Sequence, residues 1–288
     1  MDTMNTKHIF VESKYCVLGK KINVAQVGRG ETLVMIHGWS SSWVSWALLA
    51  EALSPYYRVV MIDMPGFGDS DELEHYSIEI EAQYVAETIR VMGIQPAALI
   101  GGSLGVYVAV CVAAHYPELC ENVILLSAVF GKTPIQPIKD LFHIILKLAA
   151  KTQTTQKLLG KTAKSWHTAY LIERYLNAYR FDKERFEKYN MVGRQKMNEM
   201  CYVALGLSAY DFDLQQYLRE VEKQTLIIYG EEEKLVMFDG VREALERLNR
   251  NNIVLRIVKE AAHNPGYEQP SVTAGLIQTF LQHGHAHG

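Results

Sequence analysis

The chain has 288 residues, of which 49% are hydrophobic and 21% charged, and its 29 basic and 32 acidic side chains give a net charge of −3. This length suits one α/β domain with an insertion, and the near balance of charge argues against a nucleic-acid surface. The segment from Met1 to Phe10 lacks a signal-peptide pattern, and no stretch reaches the roughly 20 apolar residues of a membrane span. We therefore expect a cytoplasmic protein with neither a membrane nor a nucleic-acid partner.

Short apolar runs bounded by turn residues predict the strands of a sheet. They lie at 9–17 and 21–27, which form a hairpin, and then at 33–36, 59–62, 98–100 and 123–126. These runs are too short for helices, and helical patterns separate the later ones. Alternation of this kind is typical of βαβ units in a mostly parallel sheet with helices on both faces.

A long helical pattern without strand-like runs then interrupts the sheet. The strand rhythm resumes at 225–229, followed by a helix at 241–248, a strand at 253–258 and a helix at 271–281. We predict a sheet core at 1–131 and 218–282, a helical cap at 132–217, and a tail at 283–288. The tail spaces three histidines by single residues, which could bind a metal, but we expect a frayed polar end.

The segment Gly101-Gly102-Ser103-Leu104-Gly105 lies between a predicted strand and a predicted apolar helix. This is the G-x-S-x-G pattern in the strand–turn–helix setting that exposes the serine oxygen above a sheet. Gly101 and Gly105 leave room for strand and helix to pass closely. The pattern therefore predicts Ser103 as a nucleophile.

A serine hydroxyl needs a base to take its proton and an acid to orient that base. His263 lies in the loop between the last predicted strand and the last helix, which makes it the candidate base. The acid is expected after the strand at 225–229, where three consecutive glutamates and no aspartate occur. We choose Glu233, with Glu232 in reserve, and interpret Glu231 as a solvated loop residue.

Two backbone N–H groups are candidates for an oxyanion hole. Trp39 follows the turn His37-Gly38 at the end of an early strand, and Leu104 follows the nucleophile. His37 could be mistaken for a second base, but we expect its side chain to brace this loop.

These motifs occur in the order His37-Gly38-Trp39, Asp63 to Ser70, Gly101 to Gly105, Tyr229-Gly230-Glu231 and His263 to Pro270. In this order they resemble the α/β-hydrolase fold family, and in particular its capped serine hydrolases, such as small esterases and meta-cleavage-product hydrolases. The resemblance implies an eight-stranded, mostly parallel sheet with a cap after strand six. It also implies a Ser-His-acid triad, in which Glu233 stands where an aspartate is usual.

We therefore expect a serine hydrolase of small apolar or aromatic carboxylic esters, acting through an acyl-enzyme without metal or organic cofactor, as a monomer or homodimer. A meta-cleavage-type C–C hydrolase, a lactonase and a slow-turnover receptor for a small ligand are also compatible with the motifs. A tyrosine-rich cap suggests an apolar pocket with hydroxyl donors, although we expect most of these side chains to serve helix packing: Trp166, Tyr170, Tyr175, Tyr179, Tyr189, Met197, Tyr202 and Tyr210. Four arginines of the cap could bind an acidic substrate tail, although none is individually convincing: Arg174, Arg180, Arg185 and Arg194.

Overall fold

An eight-stranded sheet organises the protein in a computed structural model, which describes residues 9–130 and 133–284 and the side chains up to residue 282. The strand order is β1-β2-β4-β3-β5-β6-β7-β8. The first two strands pair antiparallel, β2 pairs antiparallel with β4, and the other neighbours are parallel. The predicted fold class is confirmed.

Each predicted strand is present within two residues of its expected bounds. The strands are β1 (Val11–Val17), β2 (Lys20–Val27), β3 (Thr32–Ile36), β4 (Arg58–Ile62), β5 (Pro96–Gly102), β6 (Asn122–Leu126), β7 (Gln224–Gly230) and β8 (Ile253–Val258). Strands β3 and β6 are buried along their whole length, which is why their sequences are continuous apolar runs rather than alternating patterns.

Helices cover both faces of the sheet. They are α1 (Ala47–Leu53), α2 (Ile78–Met92), α3 (Leu104–His115), α11 (Phe238–Leu248), α12 (Pro265–Glu268) and α13 (Pro270–Gly284). One hydrophobic core packs α2, α3 and α11 against one face, and a second packs α1 and α13 against the other. Two cores sharing one sheet fix the ends of the parallel strands, where the candidate site lies.

The segment between β6 and β7 is helical throughout its regular elements. Its helices are α4 (Gln136–Ala149), α5 (Gln153–Lys164), α6 (Trp166–Ile172), α7 (Lys183–Arg185), α8 (Val192–Lys196), α9 (Glu199–Asp211) and α10 (Leu214–Glu220). Wider π-helical turns at Glu173–Asn177 and Phe186–Met191 connect some of them. We call α4–α10 the helical insert.

The domain borders remain predictions at this point. The predicted end of the cap, residue 217, falls inside α10, and its start, residue 132, lies outside the described residues. Helix α13 runs to Gly284, so the first two residues of the predicted tail are helical, while 285–288 lie outside the described residues. No helix in the described ranges has the length and apolar character needed to cross a bilayer.

Candidate active site

Ser103 lies at a sharp turn between β5 and α3. Its φ of 52° and ψ of −113° place a non-glycine residue in a strained backbone region. A side chain at Gly101 would overlap the backbone of Gly105, and one at Gly105 would overlap the carbonyl of Ile36. The flanking glycines therefore allow the close passage of strand and helix that holds the turn.

The structure brings Ser103, His263 and Glu233 into one hydrogen-bonded chain. The Nε2 atom of His263 lies 3.0 Å from the Oγ atom of Ser103, and its Nδ1 atom lies 2.8 Å from the Oε2 atom of Glu233. An ionised carboxylate only accepts, so Nδ1 carries the proton and Nε2 is left to accept from the serine hydroxyl. This arrangement can move a proton from the serine to the imidazole.

Glu233 is distinguished from its neighbours by burial and hydrogen bonding. Its Oε1 atom accepts from the backbone N–H groups of Lys234 and Leu235 at 2.8 and 2.9 Å. Glu231 and Glu232 are exposed, whereas Glu233 is buried. Of the three glutamates, Glu233 is the one that reaches His263.

The two buried partners shift each other's pKa. Burial opposes the charged form of Glu233, but the charge of His263 and hydrogen bonds from His263, Leu235 and Lys234 outweigh it, so the pKa of Glu233 lies below its usual value. Burial also opposes charge on His263, yet the carboxylate of Glu233 raises the pKa of His263 above 6.5. Each partner therefore stabilises the charged form of the other, the carboxylate of Glu233 and the imidazolium of His263.

A second carboxylate positions the histidine loop. Glu268 accepts from the N–H of Ala262 at 2.7 Å and from the N–H of Tyr179 at 2.6 Å, joining the loop to the helical insert. The N–H of His263 itself donates to the carbonyl of Asn177 at 2.9 Å. Sequence reasoning missed this role, although Glu268 lies within the motif from His263 to Pro270.

His37 braces the loop after β3 rather than facing the serine. Its Nε2 atom accepts from the N–H of Met64 at 3.1 Å, and its Nδ1 atom lies 2.9 Å from the carbonyl of Gly38. Burial lowers the pKa of His37 to about 4, against a smaller raising effect from the Gly38 carbonyl. A neutral ring with both nitrogens occupied cannot act as a base on Ser103.

Trp39 links this loop to the helical insert. Its ring stacks on Tyr202 with centroids 4.4 Å apart, and its Nε1 atom donates to the carbonyl of Tyr202 at 3.1 Å. Leu104, the other candidate oxyanion donor, is the first residue of α3, where a backbone N–H has no partner within the helix. Trp39 and Leu104 both line the cavity that contains Ser103.

A cavity of about 490 Å³ extends from Ser103 between the sheet and the helical insert. Its lining is mostly apolar and aromatic, and includes Trp39, Tyr107, Val129, Phe130, Phe142, Leu146, Phe212 and Leu235. Lys139 and Asp213 are its charged lining residues within the described ranges. Its volume and mostly apolar lining are typical of a small-molecule site.

Most of the cap residues considered for the pocket lie away from the cavity. Of the eight candidates, Tyr210 lines the cavity, and the other seven are absent from its described lining. Trp166 and Tyr170 instead pack with Phe186 in a small separate core. None of the four arginines considered for an acidic tail lines the cavity, whereas Lys139, which the sequence did not single out, does.

The described residues contain no group of three or more His, Cys, Asp or Glu side chains placed to hold a metal ion. The two tail histidines at 285 and 287, which with His283 could form a metal site, lie outside the described residues.

Comparison with known proteins supplies the family. Residues 31–270 match the family model described as alpha/beta hydrolase fold. The chain is 27% identical to pimeloyl-[acyl-carrier protein] methyl ester esterase of Aeromonas salmonicida, over 90% of this chain and 99% of that protein. It is 23% identical to 2-hydroxy-6-oxo-6-phenylhexa-2,4-dienoate hydrolase of Burkholderia cepacia, over 94% and 97% of the two chains.

Solved structures agree on the fold. A thermophilic esterase from Thermogutta terrifontis superposes with a TM-score of 0.74 at 19% identity, covering 96% of this chain and 99% of that one. An esterase from Exiguobacterium antarcticum gives a TM-score of 0.74 at 18% identity, over 94% and 100% of the two chains. With the family match spanning most of the chain, this protein belongs to the alpha/beta hydrolase fold family.

Proposed function

We propose that the protein is a serine hydrolase that cleaves small carboxylic esters through an acyl-enzyme. The observation that carries this proposal is the continuous hydrogen-bonded chain from the Oγ atom of Ser103 through His263 to Glu233. A nucleophile, a base and an orienting acid in this order are the requirements for acyl transfer at neutral pH.

In the proposed mechanism, the Oγ atom of Ser103 attacks the ester carbonyl carbon while its proton passes to the Nε2 atom of His263. The tetrahedral intermediate collapses, the C–O bond to the alcohol breaks, and the imidazolium returns the proton to the departing alcohol. Water then attacks the acyl-enzyme with His263 again as base, which releases the acid and regenerates the serine. Glu233 stabilises the imidazolium in both halves.

The backbone N–H groups of Trp39 and Leu104 are proposed to hold the oxyanion. Both residues border the cavity beside Ser103, and the Leu104 N–H also lies at the positive end of the α3 dipole. Each such donor contributes about 3 kcal/mol to transition-state stabilisation in other serine hydrolases. No metal or organic cofactor takes part in this scheme.

The mostly apolar lining favours small apolar or aromatic acyl groups as substrates. The helical insert, which supplies α4 and α9 residues to that lining, is proposed to act as a cap over the sheet. The relative named as a methyl ester esterase is consistent with ester chemistry. A cytoplasmic location remains a prediction of the sequence.

The direct test is Ser103→Ala, assayed with short p-nitrophenyl esters. We expect the hydrolysis rate to fall by a factor on the order of 10³ or more. Ser45→Ala is a matched control, because Ser45 donates locally to the carbonyl of Ser42 and is expected to leave the rate unchanged. An unchanged rate in the Ser103 variant would refute the proposal.

A second candidate is carbon–carbon bond hydrolysis of an acidic diketone by the same triad. Two observations favour it over lactone hydrolysis and over a slow ligand receptor: the relatives named as dienoate and dienedioate hydrolases, and Lys139 in the cavity lining. Burial lowers the pKa of Lys139, with Asp140 acting in the opposite direction. A partly desolvated ammonium is suited to pairing with a substrate carboxylate.

Lys139→Met separates the two candidates. We expect it to lower kcat/KM for an acidic dienoate substrate and to leave a neutral aryl ester unaffected if the second candidate is right. Lys147→Met, on the exposed side of the same helix, is the matched control. Absence of turnover of any dienoate by the wild-type protein would eliminate this candidate and leave ester hydrolysis.

A further inference from the structure

Helix α4 carries an unusual row of exposed aliphatic side chains. Five of them are between 40% and 61% exposed, namely Ile138, Leu141, Ile144, Ile145 and Leu148. Four of these recur at spacings of three and four residues, so they share one side of the helix. Isolated exposed apolar residues are ordinary, but a contiguous row on one helix marks an interaction surface.

The opposite side of α4 lines the cavity. Lys139, Phe142, His143 and Leu146 contribute to the cavity lining and follow the same helical spacing. The ring of Phe142 contacts that of Trp39, with centroids 5.9 Å apart, at the loop beside Ser103. One helix thus separates the candidate active site from the exposed aliphatic row.

The segment that carries this row is rich in lysine. Residues 133–172 contain six lysines and one acidic residue, Asp140, in a chain whose net charge is −3. Lys164 pairs with Glu199 at 2.7 Å, while Lys147, Lys151, Lys157 and Lys161 are exposed. None of these four has a salt-bridge partner within the part of the chain that the structure describes.

Helix α5 extends the surface beside α4. Thr155 donates to the carbonyl of Ala149 at 2.7 Å, and Gln156 donates to the carbonyl of Ala150 at 3.0 Å, which holds the two helices together. Leu158 on α5 is 66% exposed and adds to the apolar area. We call the five aliphatic residues of α4, Leu158 and the four exposed lysines the α4–α5 surface.

The charge decides between two occupants of this surface. A second copy of the chain, docked through the same surface, would bring two sets of lysines together. Asp140, the one acidic residue of this segment, offsets a single charge, and its carboxylate is held by hydrogen bonds from Tyr210 and Gln136, each at 2.6 Å. An anionic lipid surface accepts both the aliphatic row and the lysines, which is the pattern of helices that lie in a membrane interface.

We propose that the α4–α5 surface docks the protein on anionic lipid membranes. If the proposed esterase function also holds, the adjoining cavity would receive amphiphilic esters from that membrane past α4. Peripheral docking needs no spanning helix, so it is compatible with the absence of one from the described residues. It departs from the sequence expectation of no membrane partner, which rested on the search for spanning segments.

Co-sedimentation with vesicles tests the docking independently of catalysis. The full chain is mixed with vesicles of phosphatidylglycerol and phosphatidylcholine in equal parts, or of phosphatidylcholine alone, and the pelleted fraction is measured. We expect binding to the anionic vesicles, weakened by salt and much weaker on neutral ones.

Leu141→Gln with Ile145→Gln should lower the partition coefficient by about a hundredfold or more. Lys147→Gln with Lys151→Gln should lower it by about fivefold for each lysine.

Matched controls come from other exposed positions. Val91→Gln with Val272→Gln removes apolar groups of similar exposure, 51% and 52%, and Lys14→Gln with Lys21→Gln removes the same charge from the first hairpin. We expect both controls to bind as wild type does, and a melting curve for each variant shows that it is folded.

Two results would overturn the docking proposal. One is a wild-type protein that stays in the supernatant with anionic vesicles. If light scattering shows that such a protein is a dimer and that the α4 substitutions disrupt it, a second copy of the chain occupies the surface instead. The other is vesicle binding that the α4 substitutions leave unchanged. Ser103→Ala should bind vesicles as wild type does, so a failure of the esterase proposal and a failure of docking give different results.

Discussion

Replacing Glu233 by glutamine changes one atom and tests the orientation of His263. In the native protein the Oε1 atom of Glu233 accepts from the N–H groups of Lys234 and Leu235, and its Oε2 atom accepts from His263. Glutamine has a single amide oxygen. Because two backbone donors fix one side of the group, the oxygen should stay with them, and the NH₂ should face His263.

The consequence falls on the histidine tautomer. An NH₂ facing Nδ1 requires that nitrogen to accept, so the ring proton moves to Nε2, which then points a donor at Ser103. That tautomer cannot take the serine proton. A loss of this kind lowers kcat by about 10⁴ in a serine protease that carries the equivalent change, and we expect a similar factor here.

The assay is steady-state hydrolysis of a p-nitrophenyl ester by Glu233→Gln, with thermal unfolding to show that the variant is folded. Glu232→Gln is the matched control, because Glu232 is exposed and adjacent, and it should retain the wild-type rate. A Glu233 variant within tenfold of wild type, or a control that loses as much activity, would refute the assignment of the acid.

Three further predictions concern protonation and packing. Since Glu233 raises the pKa of His263, kcat/KM should fall as pH drops through a value above 6.5, and Glu233→Gln should move that limb to lower pH; a pH–rate profile with an unmoved limb contradicts this. Both carboxylate oxygens of Glu81 are buried without a described partner, and burial raises its pKa well above 4.5. The free energy of unfolding of the wild type should therefore fall as pH rises above 4.5, because ionising the buried Glu81 is unfavourable. Measured by denaturant unfolding, Glu81→Gln should become more stable than the wild type by up to about 1.4 kcal/mol per pH unit. A difference between the two proteins that does not change with pH would contradict a neutral, buried Glu81. Gly105→Ala should destabilise the fold by about 2 kcal/mol or more, because its Cβ would overlap backbone carbonyls at the end of β3, while Gly275→Ala, with open space around it, should stabilise slightly; equal unfolding midpoints would refute this.

The turn at Ser103 was predictable because its determinants are local. Two glycines, a preceding apolar run and a following apolar helix lie within about twenty residues, and each is visible in the sequence. The candidate base could be chosen almost as directly, since His263 is the only histidine in the loop between β8 and the helices that follow it. Chain order and local geometry together limited the choice to one residue in each case.

The cavity lining could not be predicted in the same way. Tyr170 and Phe142 both occur in helices of the insert, yet Phe142 lines the cavity and Tyr170 packs against Trp166 in a separate core. Periodicity shows that a helix has a buried side, but it does not show what covers that side. Packing among α4, α5 and α9 decides it, and those contacts join residues far apart in sequence.

The candidate acid is an intermediate case, and it shows how a glutamate could stand where an aspartate is usual. The sequence left three glutamates, and burial separates them, because only Glu233 turns inward after β7. Its longer side chain is fixed at both carboxylate oxygens, by two backbone N–H groups on one side and by His263 on the other. The added torsional freedom of the extra methylene is therefore removed by the loop that follows Gly230. The residue type at this position matters less than whether the local backbone holds a carboxylate 2.8 Å from the imidazole.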